Sequence, residues 1–392
     1  MTAPLRCLHV ITGLGTGGAE MMLRKLVLGT EGRTLRNEVV SLGGVGPIGE
    51  ELLAAGIPVV GLGMGAGGPN GRAVLRLARR IRASRPQVVQ TWMYHANLIG
   101  GIAARMAGAH PTIWNIRASN LEAGGEKAST RAAAWISGRL ARRLSQRILT
   151  NAESARDLHV ALGYPADLFQ VIPNGFELGR FRPDPGARAD VRSELGIPAE
   201  APLVGLVARR HPMKDHPAFL AAAARIARAC PGTHFLLAGD GVTLDDAELR
   251  EAVERGSLAG RAHLLGIRRD TPRLLASLDV YVSASWYGEA FPNVLGEAMA
   301  CGVPCVTTDI GDSARIVAGL GRVVPPRDPA ALADACVELL TLPPEERRAL
   351  AAGARRHVEE HYSMDTVAAA YVATYAALVR NSAPRASSTI SA

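Results

Sequence analysis

Short apolar runs alternate with longer amphipathic stretches along most of the chain, and the alternation starts afresh once. In the first half, apolar runs at 8–11, 38–42, 57–61, 88–91 and 112–116 are separated by helical patterns at 19–28, around 50–55, 74–83 and 97–107. In the second half the runs are 203–208, 234–238, 262–265, 280–284 and 304–307, with helical patterns at 218–229, 244–254, 271–278 and 294–300. Glycine and proline punctuate nearly every junction. Strands that alternate with helices in this way form parallel sheets covered by helices. The chain is therefore expected to be α/β, with two Rossmann-like domains. The segment 173–185 holds Pro173, Pro183, Pro185, Gly175 and Gly179 and reads as the linker. Expected bounds are 1–180 for the first domain and 181–361 for the second. A last helix follows within 362–380, and 381–392 is a Ser/Ala-rich tail.

Composition excludes several classes. With 392 residues, 48% hydrophobic and 20% charged, the chain can build large cores without disulfide staples. Five scattered cysteines suit a reducing compartment. No apolar run reaches the roughly 18 residues of a membrane helix, and the first residues make a poor signal peptide. A cytoplasmic protein is expected. Aromatics are 4%, too few to stack single-stranded nucleic acid.

The net charge of +8 is uneven, with +10 in residues 1–180 and −2 in the remainder. The densest basic part is 127–147, with Lys127, Arg131, Arg139, Arg142, Arg143, Arg147 and no acid. Trp135, Ile136, Leu140 and Leu144 recur through it at helical spacing. That pattern fits either a helix packed into the first domain or a basic amphipathic anchor on an anionic membrane surface. The second reading is preferred, with attachment to the inner face of the cell membrane.

Three short motifs need weighing. Gly13-x-Gly15-x-x-Gly18 follows a strand and opens a helix, as dinucleotide fingerprints do. A fingerprint also needs an acid at the end of the second strand. Glu38 begins that strand instead, so a nicotinamide cofactor is not expected. The backbone amides of Gly17 and Gly18 at a helix N-terminus suit a phosphate or a sugar better. His357-x-x-Glu-His361 has a zinc-protease spacing but no further ligand, and Cys301/Cys305 lack a partner pair. No metal is expected. Asp245-Asp246 reads as a helix cap.

The richest constellation is 285–302, Ser-Trp-Tyr-Gly-Glu289-Ala-Phe291-Pro292-Asn293-Val294-Leu-Gly-Glu297-Ala-Met-Ala-Cys-Gly. It places two carboxylates around a helix N-terminus at the C-terminal edge of a parallel sheet, where α/β proteins bind ligands. Amides near Phe291–Val294 suit a phosphate, and the acids suit hydroxyls. On spacing alone, acids that merely favour the helix dipole explain the pattern equally well.

Glu289-x7-Glu297 followed by Ala-Met-Ala-Cys-Gly-Val-Pro resembles the signature of the retaining glycosyltransferases of family four, with the GT-B fold. Other segments agree in order: Gly17-Gly18-Ala19-Glu20, Thr91-Trp-Met-Tyr-His95-Ala-Asn-Leu, Val171-Ile-Pro-Asn-Gly175, Arg209 through Lys214-Asp215, Gly239-Asp-Gly241 and Leu265-Gly266. Ala290 stands where the family commonly has glycine, and Phe176-Glu177 where it often has a hydrophobic-Asp pair. The resemblance implies two domains facing a cleft, with a last helix crossing back to the first. It implies transfer of a sugar from a nucleotide diphosphate sugar to a glycan or lipid-linked acceptor, in polysaccharide or glycolipid biosynthesis. By that resemblance Arg209 and Lys214 meet the diphosphate, Glu297 holds the ribose, Glu289 contacts the donor sugar, and His95 reaches the sugar from the first domain. Gly17, Gly18, Gly266 and residues 291–294 complete the substrate contacts. It also implies front-face attack, with the leaving phosphate taking the acceptor proton. No cofactor, metal or nucleic-acid partner is implied. A nucleotide-sugar epimerase of the same fold, or a non-catalytic nucleotide-sugar binder, stays open at this level.

Overall fold

The computed structural model describes residues 4–64, 71–108, 110–117 and 128–382. It divides into two compact units, 1–175 with 364–392, and 176–363. Among the described residues each unit carries one sheet, of seven and six strands, and every strand pair is parallel.

The first unit runs β1 (Leu5–Ile11), α1 (Gly18–Thr30), β2 (Leu35–Ser41), α2 (Gly46–Ala54), β3 (Val59–Gly61), α3 (Gly71–Ser84), β4 (Val88–Trp92), α4 (Tyr94–Met106) and β5 (Thr112–Ile116). It continues with α5 (Ala128–Leu144), β6 (Arg147–Thr150), α6 (Glu153–Ala161) and β7 (Phe169–Val171). The strand order is β3-β2-β1-β4-β5-β6-β7. β1 and β4 are central, which is why Leu8, Val10, Val88 and Val89 are fully buried and their strands read as continuous apolar runs.

The second unit runs α7 (Pro185–Leu195), β8 (Leu203–Val207), α8 (His216–Ala229), β9 (His234–Ala238), α9 (Ala247–Arg255), β10 (Ala262–Leu264), α10 (Thr271–Ala276), β11 (Val280–Ser283) and α11 (Asn293–Ala300). Then come β12 (Cys305–Thr308), α12 (Ser313–Val317), β13 (Arg322–Val324), α13 (Pro329–Thr341) and α14 (Pro344–Tyr362). Its strand order is β10-β9-β8-β11-β12-β13. α8 and α13 pack on this sheet through Phe219, Leu220, Leu332 and Leu339, all at most 2% exposed.

The unit boundary falls at 175/176, five residues before the expected 180. The reason is Phe176. Its N–H donates to the Tyr362 carbonyl at 2.8 Å, and its ring stacks on Phe291 in the second unit, with centroids 6.2 Å apart. The chain leaves the second unit again at 363/364 rather than 361/362. The expected linker also proves too long. Pro185 is the first residue of α7, and the Asp184 carboxylate caps it by accepting from the Gly186 and Ala187 amides. Asp328-Pro329 opens α13 in the same manner.

The last helix, α15 (Met364–Ser382), belongs to the first unit. Tyr371 and Tyr375 lie buried against β4, and the Tyr375 hydroxyl donates to the Gln90 side-chain oxygen. The expected tail falls outside the described residues from 383 onward.

Candidate functional site

In the second sheet the chain order reverses between β8 and β11, and such switch points open a crevice at the C-terminal strand ends. The segments leaving those two strands build a pocket there, lined by Lys214, Ser283, Ser285, Glu289, Asn293 and Val294 among others. A single 3-10 turn, Pro212–Lys214, brings Lys214 to it from the β8 side. From the β11 side comes the loop with Ser285 and Glu289, followed by the start of α11.

The pocket wall is a charged pair. Lys214 Nζ donates to Glu289 Oε2 at 2.5 Å, and Ser285 Oγ donates to the same oxygen at 2.7 Å. Both side chains are mostly buried, at 19% and 14% exposed, so the pair is screened less than a surface one. Neither bond uses Glu289 Oε1. Positive charge gathers at this edge. His211 is held below its ordinary pKa by burial and then by the Arg209 and Lys214 charges. α11 begins at Asn293 with Pro292 as its N-cap, so the positive end of its dipole stands beside the pair.

The loop conformations are specified tightly. Asp215 sits in the left-handed region (φ 47°) and caps α8 by accepting from the Ala218 amide. Gly311 (φ 59°) passes so close to the Glu289 carbonyl that a Cβ there would lie 2.0 Å from it. The Asp312 amide, next along, donates to the Ala290 carbonyl at 2.9 Å.

The remaining expected residues are placed differently. Arg209 is exposed in the segment leaving β8. Glu297 is half-buried on α11, and neither lines the pocket. Phe291 does not line it either. Its ring is buried between Phe176 and Tyr362, so it fixes the start of α11 from behind. Gly266 (φ 63°) is a loop tie. Its N–H donates to the Val242 carbonyl at 2.9 Å and its carbonyl accepts from the Gly239 amide at 2.8 Å.

His95, Gly17 and Gly18 belong to the first unit and gather at its own switch point, between β1 and β4. Gly17 is the N-cap of α1 and Gly18 its first residue. His95 is half-buried in the first turn of α4, after Met93 in a left-handed conformation (φ 73°). Glu38 lies in the middle of β2 rather than at its start, and accepts from Arg80 and from Ser84 Oγ. Asp246 caps α9, as its position suggested. Among the described residues no group of three or more His, Cys, Asp or Glu is arranged to hold a metal.

Trp286 escaped the sequence reading. Its backbone N–H donates to the Met213 carbonyl at 3.0 Å and its indole Nε1–H to the Pro212 carbonyl at 2.9 Å. The Arg327 guanidinium covers the ring at 3.4 Å. One side chain therefore fixes the turn that carries Lys214. Trp286→Phe keeps an aromatic ring, though a smaller one, and removes the indole hydrogen bond, which is worth about 1 kcal/mol. If that energy is felt in the transition state, turnover falls about five-fold. The check is steady-state kinetics beside a melting curve. A lower melting temperature with unchanged turnover would make Trp286 a stability residue only.

Residues 16–180 match the model for Glycosyltransferase Family 4, and residues 201–342 match that for Glycosyl transferases group 1. The chain belongs to glycosyltransferase family 4. Among curated relatives of this glycosyltransferase, the putative glycosyltransferase EpsF of Bacillus subtilis is 27% identical over 81% of this chain and 82% of its own. The UDP-Gal:alpha-D-GlcNAc-diphosphoundecaprenol alpha-1,3-galactosyltransferase of Escherichia coli is 26% identical over 61% and 62%. The D-inositol 3-phosphate glycosyltransferase of Segniliparus rotundus is 30% identical over 61% and 54%. The glycosyltransferase thus spans most of EpsF but less than two thirds of the other two. In structure it resembles Anabaena HepE, solved in complex with UDP and glucose, with a TM-score of 0.80 over 95% of this chain and 100% of that one at 22% identity. That likeness gives the glycosyltransferase the GT-B fold.

Proposed function

We propose that this glycosyltransferase moves a sugar from a nucleotide diphosphate sugar to a phosphate-bearing glycan or lipid-linked acceptor, with retention and without a metal. The observation that carries the donor reading is the Lys214–Glu289 pair beside the first turn of α11 at a sheet switch point. As the donor bond breaks, negative charge grows on the diphosphate. Fixed positive groups lower the barrier most when they are in place beforehand. Lys214 supplies a point charge, Arg209 a forked donor, and α11 its first amides. Glu289 Oε1 is left to accept from a sugar hydroxyl, and Glu297 from the ribose. His95 and the Gly17–Gly18 amides lie at the first unit's own switch point, which suits the acceptor.

The curated relatives are named as transferases, which favours transfer over epimerisation or binding alone. HepE was solved with UDP, which makes UDP-sugars the first donors to try. Two acceptors in the relatives' names, a diphosphoundecaprenol-linked sugar and inositol 3-phosphate, carry phosphate. Product analysis over UDP-, GDP- and ADP-sugars is the test. Transfer to an added acceptor with the anomeric configuration kept, undiminished by chelator, is expected. A changed free nucleotide sugar with no acceptor present would mark an epimerase.

Peripheral attachment to a membrane surface is the second part of the proposal. No described helix is long and apolar enough to cross a membrane. α5 buries Ala133, Ala134, Ser137, Gly138 and Ala141, and partly covers Leu140 and Leu144. Trp135 and Ile136 stay exposed, at 58% and 37%, with the Arg139 guanidinium over the Trp135 ring. Arg142 is engaged in a forked pair with Asp167, so its charge is partly spent. Lys127 lies outside the described residues. The face therefore rests on Trp135, Ile136, Arg139 and Arg143. Co-sedimentation with anionic vesicles is expected to fall with salt and on Arg139→Ser with Arg143→Ser, and Arg142→Ser is expected to matter less. Equal recovery with neutral vesicles would favour a soluble acceptor.

A further inference from the structure

The first unit holds an arginine, Arg117, that has no carboxylate partner among the described residues. Arg117 directly follows β5, whose Asn115 pairs in register with Trp92 at the end of β4. Its Nη2 is buried and has no hydrogen-bond partner. Its Nη1 reaches the Tyr371 hydroxyl at a long 3.4 Å, and that hydroxyl already accepts from Asn115 Nδ2 at 2.9 Å. The guanidinium carbon stands 5.7 Å from the Trp92 ring centroid. No carboxylate among the described residues pairs with it. Burial pulls the guanidinium below its ordinary pKa, and Tyr371 only partly offsets this.

A desolvated cation without a partner is costly to keep. The second unit shows how a structural arginine is normally handled. Arg192, at 2% exposed more enclosed than the half-buried Arg117, is paired with Asp279 and bonded to the Ser277 and Ala201 carbonyls. Among the described residues Arg117 has no carboxylate or carbonyl in that role. It also lies one strand from the switch point where the α1 and α4 N-termini bring Gly18 and His95.

We propose that Arg117 anchors an anion site in the first unit and takes the phosphate of the acceptor, with Trp92 and Tyr371 framing the guanidinium. The word acceptor rests on the transferase reading. The anion site does not.

The experiment follows the melting temperature of the full chain against inorganic phosphate. The donor pocket is disabled with Arg209→Ala and Lys214→Ala, so that phosphate bound there does not contribute. Phosphate is expected to raise the melting temperature by a few degrees. Arg117→Met is expected to abolish that rise while leaving the phosphate-free melting temperature unchanged or higher. Arg117→Lys, which keeps a charge, is expected to retain part of the rise. A hexose 1-phosphate in solution and vesicles carrying a polyprenyl phosphate form two further arms. The arm that gives Arg117-dependent protection tells a free acceptor from a lipid-borne one. No rise with phosphate, or the same rise in Arg117→Met, overturns the proposal. So does a drop in the phosphate-free melting temperature of Arg117→Met, because the arginine would then be structural. If product analysis shows no transfer but the Arg117-dependent rise is present, the anion site stands and the transferase reading fails.

Discussion

Replacing Lys214 with alanine is expected to lower turnover by about 10²-fold or more, the usual cost of one fixed donor to a developing anion. The structure sharpens that expectation. Lys214 Nζ is the cation bonded within the pocket wall, and its loss also leaves Glu289 half-enclosed with only Ser285 donating to it. Arg209→Ala is expected to act in the same direction but less strongly, because Arg209 is exposed and lies outside the pocket lining. Lys214→Arg keeps the charge on a larger, planar group and is expected to recover only part of the rate. Steady-state kinetics with a saturating donor would check this. Lys214→Ala turning over within a few-fold of the parent would place the leaving group elsewhere.

The largest expected effect on stability comes from the other edge of the second sheet. Asp279 opens β11 and accepts from Arg188 at 2.5 Å, from Arg192 at 2.7 Å and from the Leu203 amide at 2.9 Å. Arg192 is 2% exposed, so Asp279→Ala strands a buried charge. The expected cost is about 3–5 kcal/mol. It would appear as loss of the unfolding transition of residues 176–363, with the transition of the first unit retained. A control is Arg322→Ala. That residue pairs with Glu338 on the surface, where the side chains are 31% and 52% exposed, and a cost under about 1 kcal/mol is expected. Comparable losses from the two variants would contradict the account of Asp279.

Both sheets were legible because their central strands are buried on both faces. Residues 112–116 and 234–238 were read to the residue, each with a mostly apolar run, Ile-Trp and Ile in the first and Phe-Leu-Leu-Ala in the second. The edges were not. β6, β7 and β13 are three or four residues long, and Arg147, Gln170 and Arg322 interrupt them, so no apolar run announces them. The linker was read too broadly because a proline at the first position of a helix looks, in sequence, like a proline in a turn. At the site, Glu289 and Lys214 could be read from motif and spacing. Trp286 could not, because two bonds to the backbone of residues 212 and 213 leave no sequence pattern. Phe291 was read as a ligand contact from its neighbours, while its ring is claimed by Phe176, 115 positions earlier in the chain. Arg117 had the same obstacle. That no described carboxylate pairs with it is a property of packing, and in sequence it is one basic residue among the 21 of the first 180.

The central claim is that the pocket at the β8–β11 switch point binds the nucleotide diphosphate. Hydrogen exchange of the full chain with and without UDP tests it most directly. The account predicts slower exchange in peptides covering 208–216 and 284–296 on adding UDP, and loss of that protection in Lys214→Ala. Protection confined to other segments, or unchanged by Lys214→Ala, would contradict it.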